Sequence, residues 1–220
     1  MTWRVQVGGD EITAEHDSAG ASIAFICAHG AGGNMSDRGL LAVSAVMRAQ
    51  GVDVVRFDFP YKERRSGRPD PMPLLKKTIE AVVARTRSEL RPKTLLIGGR
   101  SMGGRAASML AADGFACDGL LLLAYPLHPA GKPEQLRDAH LPKISVPVLC
   151  FNGTRDALCT RDLMERVLEG VGDNWTMHWL DGADHSFHVL KSSGRTDAQV
   201  LAEIGDASGA WVEQWSRVTR

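Results

Sequence analysis

The segment GGRSMGGR, residues 98–105, holds a serine between two glycines in the pattern G-x-S-x-G. It directly follows the apolar run KTLLIGG, which is typical of a buried strand, and it leads into MGGRAASMLAA, which is typical of a helix. A serine on a sharp strand-to-helix turn presents its hydroxyl outward, and small neighbours such as Gly99 and Gly103 prevent clashes there. This context predicts that Ser101 is a nucleophile. The alternative is a tight turn whose serine is inert.

A serine hydroxyl becomes a good nucleophile when a nearby base removes its proton. Of the seven histidines, His185 in DGADHSF directly follows the predicted strand NWTMHWL. We therefore expect His185 at the same sheet edge as Ser101 and predict that it is the base. His178 lies inside that strand and is predicted to pack there, while His188 is predicted to lie on the surface.

A carboxylate must fix the tautomer of that histidine and stabilise its charged form. Asp156, in FNGTRD, follows the predicted strand VPVLCFNG and is our prediction for this role. Asp184 is the first alternative, although neighbouring side chains in an extended loop tend to point apart, which disfavours it beside His185. Asp181 is a weaker alternative. The chain order is then serine, acid, histidine.

Acyl transfer also needs N–H donors that stabilise the oxyanion. We predict that one donor is the backbone N–H of Met102, immediately after the serine. The second is predicted to come from HGAGGN, residues 29–34, where glycines let the backbone approach a substrate closely. Ala31 is the preferred donor and Gly32 the alternative, while His29 is predicted to hold this loop through hydrogen bonds.

Strand-like and helix-like segments alternate along the chain, which predicts an α/β fold with a mainly parallel sheet covered on both faces. Ligands bind at the carboxyl ends of the strands in such sheets. The main helices are predicted at 38–50, 73–90 and 196–218, and YKERRSGRPDPMP is predicted to be a loop. The predicted strands are TWRVQV, EITAEH, SIAFICAHG, VDVVRFDF, KTLLIGG, GLLLLAYP, VPVLCFNG and NWTMHWL.

The chain between GLLLLA and VPVLCF, residues 125–145, is too short for a cap domain. It predicts a lid loop with one short helix, and hence an open or shallowly covered site. We expect substrate to contact Gly32, Tyr61, Arg100 and His128.

Basic residues follow several predicted strand ends, and a cationic rim there would attract acidic substrates. Acidic residues lie among them at Glu63, Asp70 and Glu134, which favours a solvated and partly paired surface instead. The basic residues concerned are Lys62, Arg64, Arg65, Arg68, Arg100, His128, Lys132 and Arg137.

Composition argues against several other classes of function. Lys and Arg number 26, as do Asp and Glu, so the net charge favours neither nucleic acid nor an anionic membrane as a partner. The four cysteines form no C-x-x-C pair, and the N-terminus has no apolar signal region, so we predict free thiols and a cytoplasmic location. Residues 1–220 are predicted to form a single domain.

The segment DHSFH offers Asp184, His185 and His188 as metal ligands. It lacks the H-E-x-x-H pattern or a comparable ligand set, so a metal-dependent hydrolase is the least favoured class. We expect neither a metal nor a cofactor, and no segment indicates a protein partner.

Six segments together resemble the α/β-hydrolases, and more narrowly the KANL/testis-expressed hydrolase-like branch near the dienelactone hydrolases. The resemblance covers most of residues 22–190 and implies an eight-stranded sheet whose second strand is antiparallel. It also implies Ser101, Asp156 and His185 as a catalytic triad, acting on a small ester or thioester through an acyl-enzyme. The alternative is a catalytically silent binding module of the same fold. The segments are CAHGAGGNM, FDFPY, GGRSMGGR, AYPLHPAGKPEQLR, FNGTRD and GADHSF.

Overall fold

All eight strands belong to one sheet, in the spatial order β1-β2-β4-β3-β5-β6-β7-β8. The computed structural model describes the backbone of residues 1–218 and the side chains of residues 1–214. β2 is antiparallel to both of its neighbours, and the strands from β4 to β8 across the sheet are parallel, as predicted. The strands are β1 (Thr2–Val7), β2 (Asp10–Asp17), β3 (Ile23–Ala28), β4 (Asp53–Phe57), β5 (Thr94–Arg100), β6 (Gly119–Leu123), β7 (Val148–Gly153) and β8 (Trp175–Leu180).

The burial of each strand follows its position in the sheet. Every residue of β4, β6 and β7 is buried, because helices cover both faces of the parallel part of the sheet. β1, at the edge, alternates exposed and buried residues, which is the pattern of a strand with one face in water.

Within residues 1–218, six α-helices follow or connect these strands. The segment after β4 was predicted to be a loop, but its first residues form a one-turn helix at Pro60–Glu63. Proline at the first helical position has its φ preset and loses no hydrogen bond there, which explains the turn. The helices are α1 (Arg38–Ala49), α2 (Pro60–Glu63), α3 (Met72–Leu90), α4 (Met102–Ala112), α5 (Arg161–Leu168) and α6 (Asp197–Val218).

Two apolar cores lie on opposite faces of the sheet. On one face α3 and α4 pack through residues such as Ile79 and Leu110, and on the other α1 and α6 pack through Met47 and Ile204. Among the described residues, no helix has both the length and the apolar character that crossing a bilayer requires.

The chain between β6 and β7 forms a short covering segment with a single 3₁₀ turn at Leu141–Lys143, in agreement with the predicted lid loop. Two hydrogen bonds tie it down near Arg137. Its N–H donates to the Leu127 carbonyl over 2.8 Å, and its carbonyl accepts from the Tyr125 hydroxyl over 2.6 Å.

Close backbone contacts bring the ends of β3 and β5 together. Gly99 has a φ of +129°, and a Cβ placed on it would lie 2.1 Å from the Ala28 carbonyl oxygen. A Cβ on Gly103, in the first turn of α4, would lie 2.6 Å from the His29 carbonyl oxygen. Glycine at both positions therefore allows the β5–α4 turn to sit directly against the loop that follows β3.

We predict that Gly99→Ala destabilises the protein by at least about 2 kcal/mol, because the new methyl group meets backbone and the residue is held at a positive φ. Gly67→Ala is the matched control, since a Cβ on Gly67 would have no heavy atom within 4 Å. Urea unfolding of both variants measures the difference. Equal unfolding free energies for the two variants would show that the contact with Ala28 relaxes freely.

Candidate active site

Ser101 lies on a sharp turn between β5 and α4, with a φ of 51° and a ψ of −116°. A non-glycine residue rarely adopts this conformation, so the surrounding structure must hold it. The Ser101 N–H donates to the Leu123 carbonyl over 2.8 Å, and the Ser101 carbonyl accepts from the Arg105 N–H over 2.9 Å. The turn leaves the hydroxyl facing a cleft at the carboxyl edge of the sheet, the context predicted for a nucleophile.

The structure brings together the three side chains that were predicted to act with one another. His185 Nε2 lies 3.0 Å from Ser101 Oγ. His185 Nδ1 lies 2.9 Å and 2.8 Å from the two carboxylate oxygens of Asp156. An Nδ1–H donated to Asp156 leaves Nε2 free to accept the serine proton, which is the geometry of general-base activation.

The loops that carry Asp156 and His185 meet because β7 and β8 approach closely at their ends. A Cβ on Gly153 would lie 2.1 Å from the Ala183 carbonyl oxygen, and that oxygen accepts the Arg155 N–H over 2.9 Å. The His185 loop is closed by a bridge between Ala183 and Val189. This registry places the acid and the histidine on adjacent loops of one sheet edge.

The two alternative acids have other positions. Asp184 turns its carboxylate back onto its own loop, where one oxygen accepts the N–H groups of Ser186 and His188 at 2.7 Å and 3.0 Å. Asp181 is exposed, and its carboxylate accepts a long hydrogen bond of 3.4 Å from the Thr154 hydroxyl. Neither carboxylate therefore orients His185 in this structure.

Asn152 supports the Asp156 carboxylate, a contact that sequence reasoning missed. Its amide Nδ2 donates to Asp156 Oδ2 over 3.0 Å, while the Leu158 N–H donates to Oδ1 over 2.8 Å. Asn152 is itself fully buried and is held by two hydrogen bonds to the backbone of Tyr125. A polar amide inside the apolar run VPVLCFNG was the available signal.

Hydrogen bonds of His29 fix the orientation of the loop after β3. His29 Nδ1 donates to the Gly30 carbonyl over 2.7 Å, and His29 Nε2 accepts the Phe59 N–H over 3.2 Å. The Gly30 carbonyl and the Ala31 N–H belong to one peptide group and point in opposite directions. Bonding the carbonyl to His29 therefore aims the Ala31 N–H away from the protein interior.

Both predicted oxyanion donors lie beside the serine. Ala31, Ser101 and Met102 line one cavity, and Gly32 lines the neighbouring cleft. In the part of the chain that the structure describes, the N–H groups of Ala31 and Met102 have no hydrogen-bond acceptor. Met102 also opens helix α4, where the helix dipole favours negative charge.

The expected substrate contacts of Tyr61 and His128 need correction, because both side chains are buried. The Tyr61 hydroxyl donates to the Ala31 carbonyl over 2.8 Å, so it positions the oxyanion loop from behind. His128 Nε2 lies 3.1 Å from the Thr160 hydroxyl, and its Nδ1 lies 3.0 Å from the Pro129 carbonyl. That histidine fixes the covering segment between β6 and β7 against the start of α5.

Arg100 lines the cleft of about 310 Å³ that opens above Ser101 and His185. Its guanidinium donates to the His185 carbonyl and to the Ser186 hydroxyl, each over 3.1 Å. Arg100 also borders a second cavity of about 440 Å³, which is lined mainly by apolar residues such as Leu40 and Phe187. Arg100 thus holds the His185 loop and borders both the cleft above Ser101 and the second, more apolar cavity.

Two of the basic residues considered for a cationic rim, Arg64 and Lys62, make contacts within the protein, as expected for a partly paired surface. Arg64 is paired with Asp10 and Asp70, and Lys62 lies over the Tyr61 ring at 5.3 Å. The metal ligand set considered in DHSFH is also not assembled, since His188 contacts Asp197 and His185 contacts Asp156. Among the described residues, no group of three or more potential ligands is arranged to hold a metal ion.

Comparison with known proteins agrees with this architecture. A family model described as an alpha/beta hydrolase domain matches residues 21–213, and the chain therefore belongs to the α/β-hydrolase family. The chain is similar to an α/β serine hydrolase without a lid from Xanthomonas campestris, with a TM-score of 0.76 and 20% identity over 96% of this chain and 94% of that one.

Two further solved structures share the fold. Dienelactone hydrolase from Anabaena variabilis gives a TM-score of 0.75 at 19% identity, over 97% of this chain and 96% of that one. Est1E from Butyrivibrio proteoclasticus gives a TM-score of 0.75 at 17% identity, over 98% and 99% of the two chains. The TM-scores of these structures establish a shared fold.

Burial lowers the pKa of His29 to about 4, so this histidine is neutral near pH 7. The unfolded chain, with an ordinary histidine pKa near 6.5, takes up the proton first as the pH falls. His29 therefore makes unfolding easier between about pH 6.5 and pH 4, and the effect is about 2 kcal/mol by pH 5. His29→Asn cannot titrate, so we predict that its unfolding free energy falls less than that of the wild type between pH 7 and pH 5.

Urea titrations of both proteins at the two pH values measure this difference. Equal losses of stability in the wild type and His29→Asn would contradict a neutral, buried His29.

Proposed function

We propose that the protein is a serine hydrolase that cleaves a carboxylic ester or thioester of a small substrate through an acyl-enzyme. The observation that carries the proposal is the hydrogen-bonded series from Ser101 Oγ through His185 to Asp156. A serine on a strained turn, a histidine and a buried carboxylate at these distances are the parts that acyl transfer requires.

In the first step His185 Nε2 takes the Ser101 proton while Oγ bonds to the carbonyl carbon. The carbonyl electron pair moves onto oxygen, and the N–H groups of Ala31 and Met102 stabilise the negative charge. The carbon–oxygen or carbon–sulfur bond of the leaving group then breaks, and His185 returns the proton to the leaving atom. A water molecule, deprotonated by His185, attacks the acyl group, which leaves as an acid and regenerates the Ser101 hydroxyl.

Three further observations support the ester class. Structures of the same fold are named as an esterase domain from Rhodothermus marinus and as Est1E with bound ferulic acid. The covering segment is short, which suits small or accessible substrates.

We also propose that the chain belongs to the KANL/testis-expressed branch, on the resemblance of YPLHPAGKPEQLR. We further propose that it is cytoplasmic, since all four cysteines are free thiols.

Ser101→Ala removes the atom that would form the acyl-enzyme, so we expect kcat for p-nitrophenyl acetate to fall by at least about 10⁴-fold. A fluorophosphonate should label the wild type and leave Ser101→Ala unlabelled. The activity should withstand a metal chelator.

Thermal unfolding of Ser101→Ala serves as the control for folding. A folded wild type that is neither labelled nor active would instead support the silent binding module, and activity that a chelator abolishes and zinc restores would support a metal enzyme.

Asp156→Asn should lower kcat by about 10³- to 10⁴-fold. The amide keeps one oxygen acceptor but replaces the other with an NH₂ donor, which favours the wrong tautomer of His185. Asp181→Asn is the matched control and should change kcat less than about twofold, since that carboxylate is exposed and hydrogen-bonds to Thr154, with no contact to His185. Steady-state kinetics with one ester compares the two. A large loss in Asp181→Asn with little loss in Asp156→Asn would reverse the assignment of the acid.

A further inference from the structure

A separate cavity of about 270 Å³ opens beside Ser101 and is bordered by two arginines. Its lining includes Ala31, Ser101 and Met102 together with Arg105 and Arg137. The cavity thus joins the predicted oxyanion donors to two cationic side chains.

The two arginines have few partners in the protein. Arg105 Nε is buried and makes no hydrogen bond within the described residues, and the guanidinium of Arg137 reaches the Pro126 carbonyl at 3.5 Å. Neither forms an ion pair with a carboxylate in the described part of the chain. Asp113, a carboxylate at the end of α4, is already paired with Lys76. A buried arginine donor without an acceptor is uncommon, because a desolvated polar group left unpaired costs free energy.

The charges of these arginines act on one another. Burial, followed by the positive charge of Arg105, lowers the pKa of Arg137. The nearby His140 is also affected, since burial and then Arg105 lower its pKa to about 4 and leave it neutral near pH 7. The cavity therefore carries two like charges that the protein does not neutralise with a contact of its own.

The backbones of both arginines are fixed, which limits where their side chains can reach. Arg105 lies in the first turns of α4, and its N–H donates to the Ser101 carbonyl while its own carbonyl accepts the Ser108 hydroxyl over 2.8 Å. Arg137 is held through Leu127 and Tyr125, as described above. Arg105 thus lies one turn after the nucleophile in α4, and Arg137 lies on a hydrogen-bonded part of the covering segment between β6 and β7.

The position of His185 indicates which half of a substrate enters this cavity. The leaving group must lie next to His185 Nε2, because that nitrogen returns the proton. His185 lines the 310 Å³ cleft together with Arg100, whereas Arg105 and Arg137 line the 270 Å³ cavity, and Ala31 and Ser101 border both. The leaving group therefore occupies the cleft, and the acyl group extends toward Arg105 and Arg137.

We propose that Arg105 and Arg137 form an anion subsite that selects acyl groups ending in a carboxylate, such as the monoesters or monothioesters of short dicarboxylic acids. This inference rests on the proposed hydrolase function. Guanidinium groups bind carboxylates through paired, charge-assisted hydrogen bonds, which matches the ligand to the missing partner.

Kinetics with two p-nitrophenyl esters tests the subsite. The monoester of glutaric acid carries a terminal carboxylate, and the ester of pentanoic acid has the same carbon chain without it. The wild type should prefer the glutarate ester in kcat/KM. Arg105→Gln and Arg137→Gln should each lower the ratio of glutarate to pentanoate kcat/KM by about 10- to 100-fold, and lysine at either position should restore part of the preference.

Arg68→Gln is the matched control, since it removes one positive charge from an exposed loop without changing the cavity. It should leave the ratio unchanged. A wild type without preference for the glutarate ester, or arginine variants that slow both esters equally, would overturn the anion subsite while leaving the hydrolase function intact.

If no ester is cleaved, a binding measurement tests the anion subsite separately from the hydrolase function. Calorimetric titration of glutarate into Ser101→Ala should show binding. Double variants that combine Ser101→Ala with Arg105→Gln or Arg137→Gln should not bind glutarate. Inorganic phosphate should bind more weakly than glutarate, and stronger phosphate binding would assign the subsite to a phosphate group instead. Absence of glutarate binding would reject the subsite, whereas binding by a protein that cleaves no ester would reject the hydrolase function alone.

Discussion

The turn that holds Ser101 at a positive φ is the constraint on which the site depends. Such a conformation costs about 1–3 kcal/mol for a residue with a side chain, so it persists where neighbouring contacts enforce it. The Ser101 N–H donates to the Leu123 carbonyl and the Ser101 carbonyl accepts the Arg105 N–H, so hydrogen bonds hold both sides of the turn. Because helix α4 begins at the next residue, one backbone feature sets the direction of the hydroxyl, the Met102 N–H and the helix dipole together.

The opposite wall of the site depends on a histidine that carries no charge. His29 uses one nitrogen as a donor to Gly30 and the other as an acceptor from Phe59, and a second proton would remove the acceptor. Burial lowers the pKa of His29 and so preserves this arrangement at neutral pH. The Tyr61 hydroxyl fixes the next carbonyl of the same loop. Polar groups behind the loop therefore decide which way its N–H groups point.

The residues that follow strands directly were the ones that the sequence identified well. The alternation of segments predicted the sheet, and the three side chains that meet at its edge each come shortly after an apolar run. The sequence could not reveal the roles of Tyr61, His128 and Asn152, because each side chain is buried against a group of another segment, and a residue's position near a strand end does not show which way its side chain points. The short helix at Pro60–Glu63 was missed for a local reason, since its charged and proline-rich continuation resembles a loop.

Arg105 illustrates the same limit and its consequence for function. In the sequence it is one cation of a helix, but in the fold it lines one cavity together with Arg137 and Ser101. The two like charges share a cavity without a carboxylate partner, and the buried Arg105 Nε has no acceptor among the described residues, which costs free energy. Side chains that lower stability in this way are commonly kept where a ligand supplies the missing interaction. A substrate carboxylate would neutralise both arginines when its carbonyl group reaches the oxyanion donors. The same two charges would therefore bind the substrate and position its carbonyl group for acyl transfer.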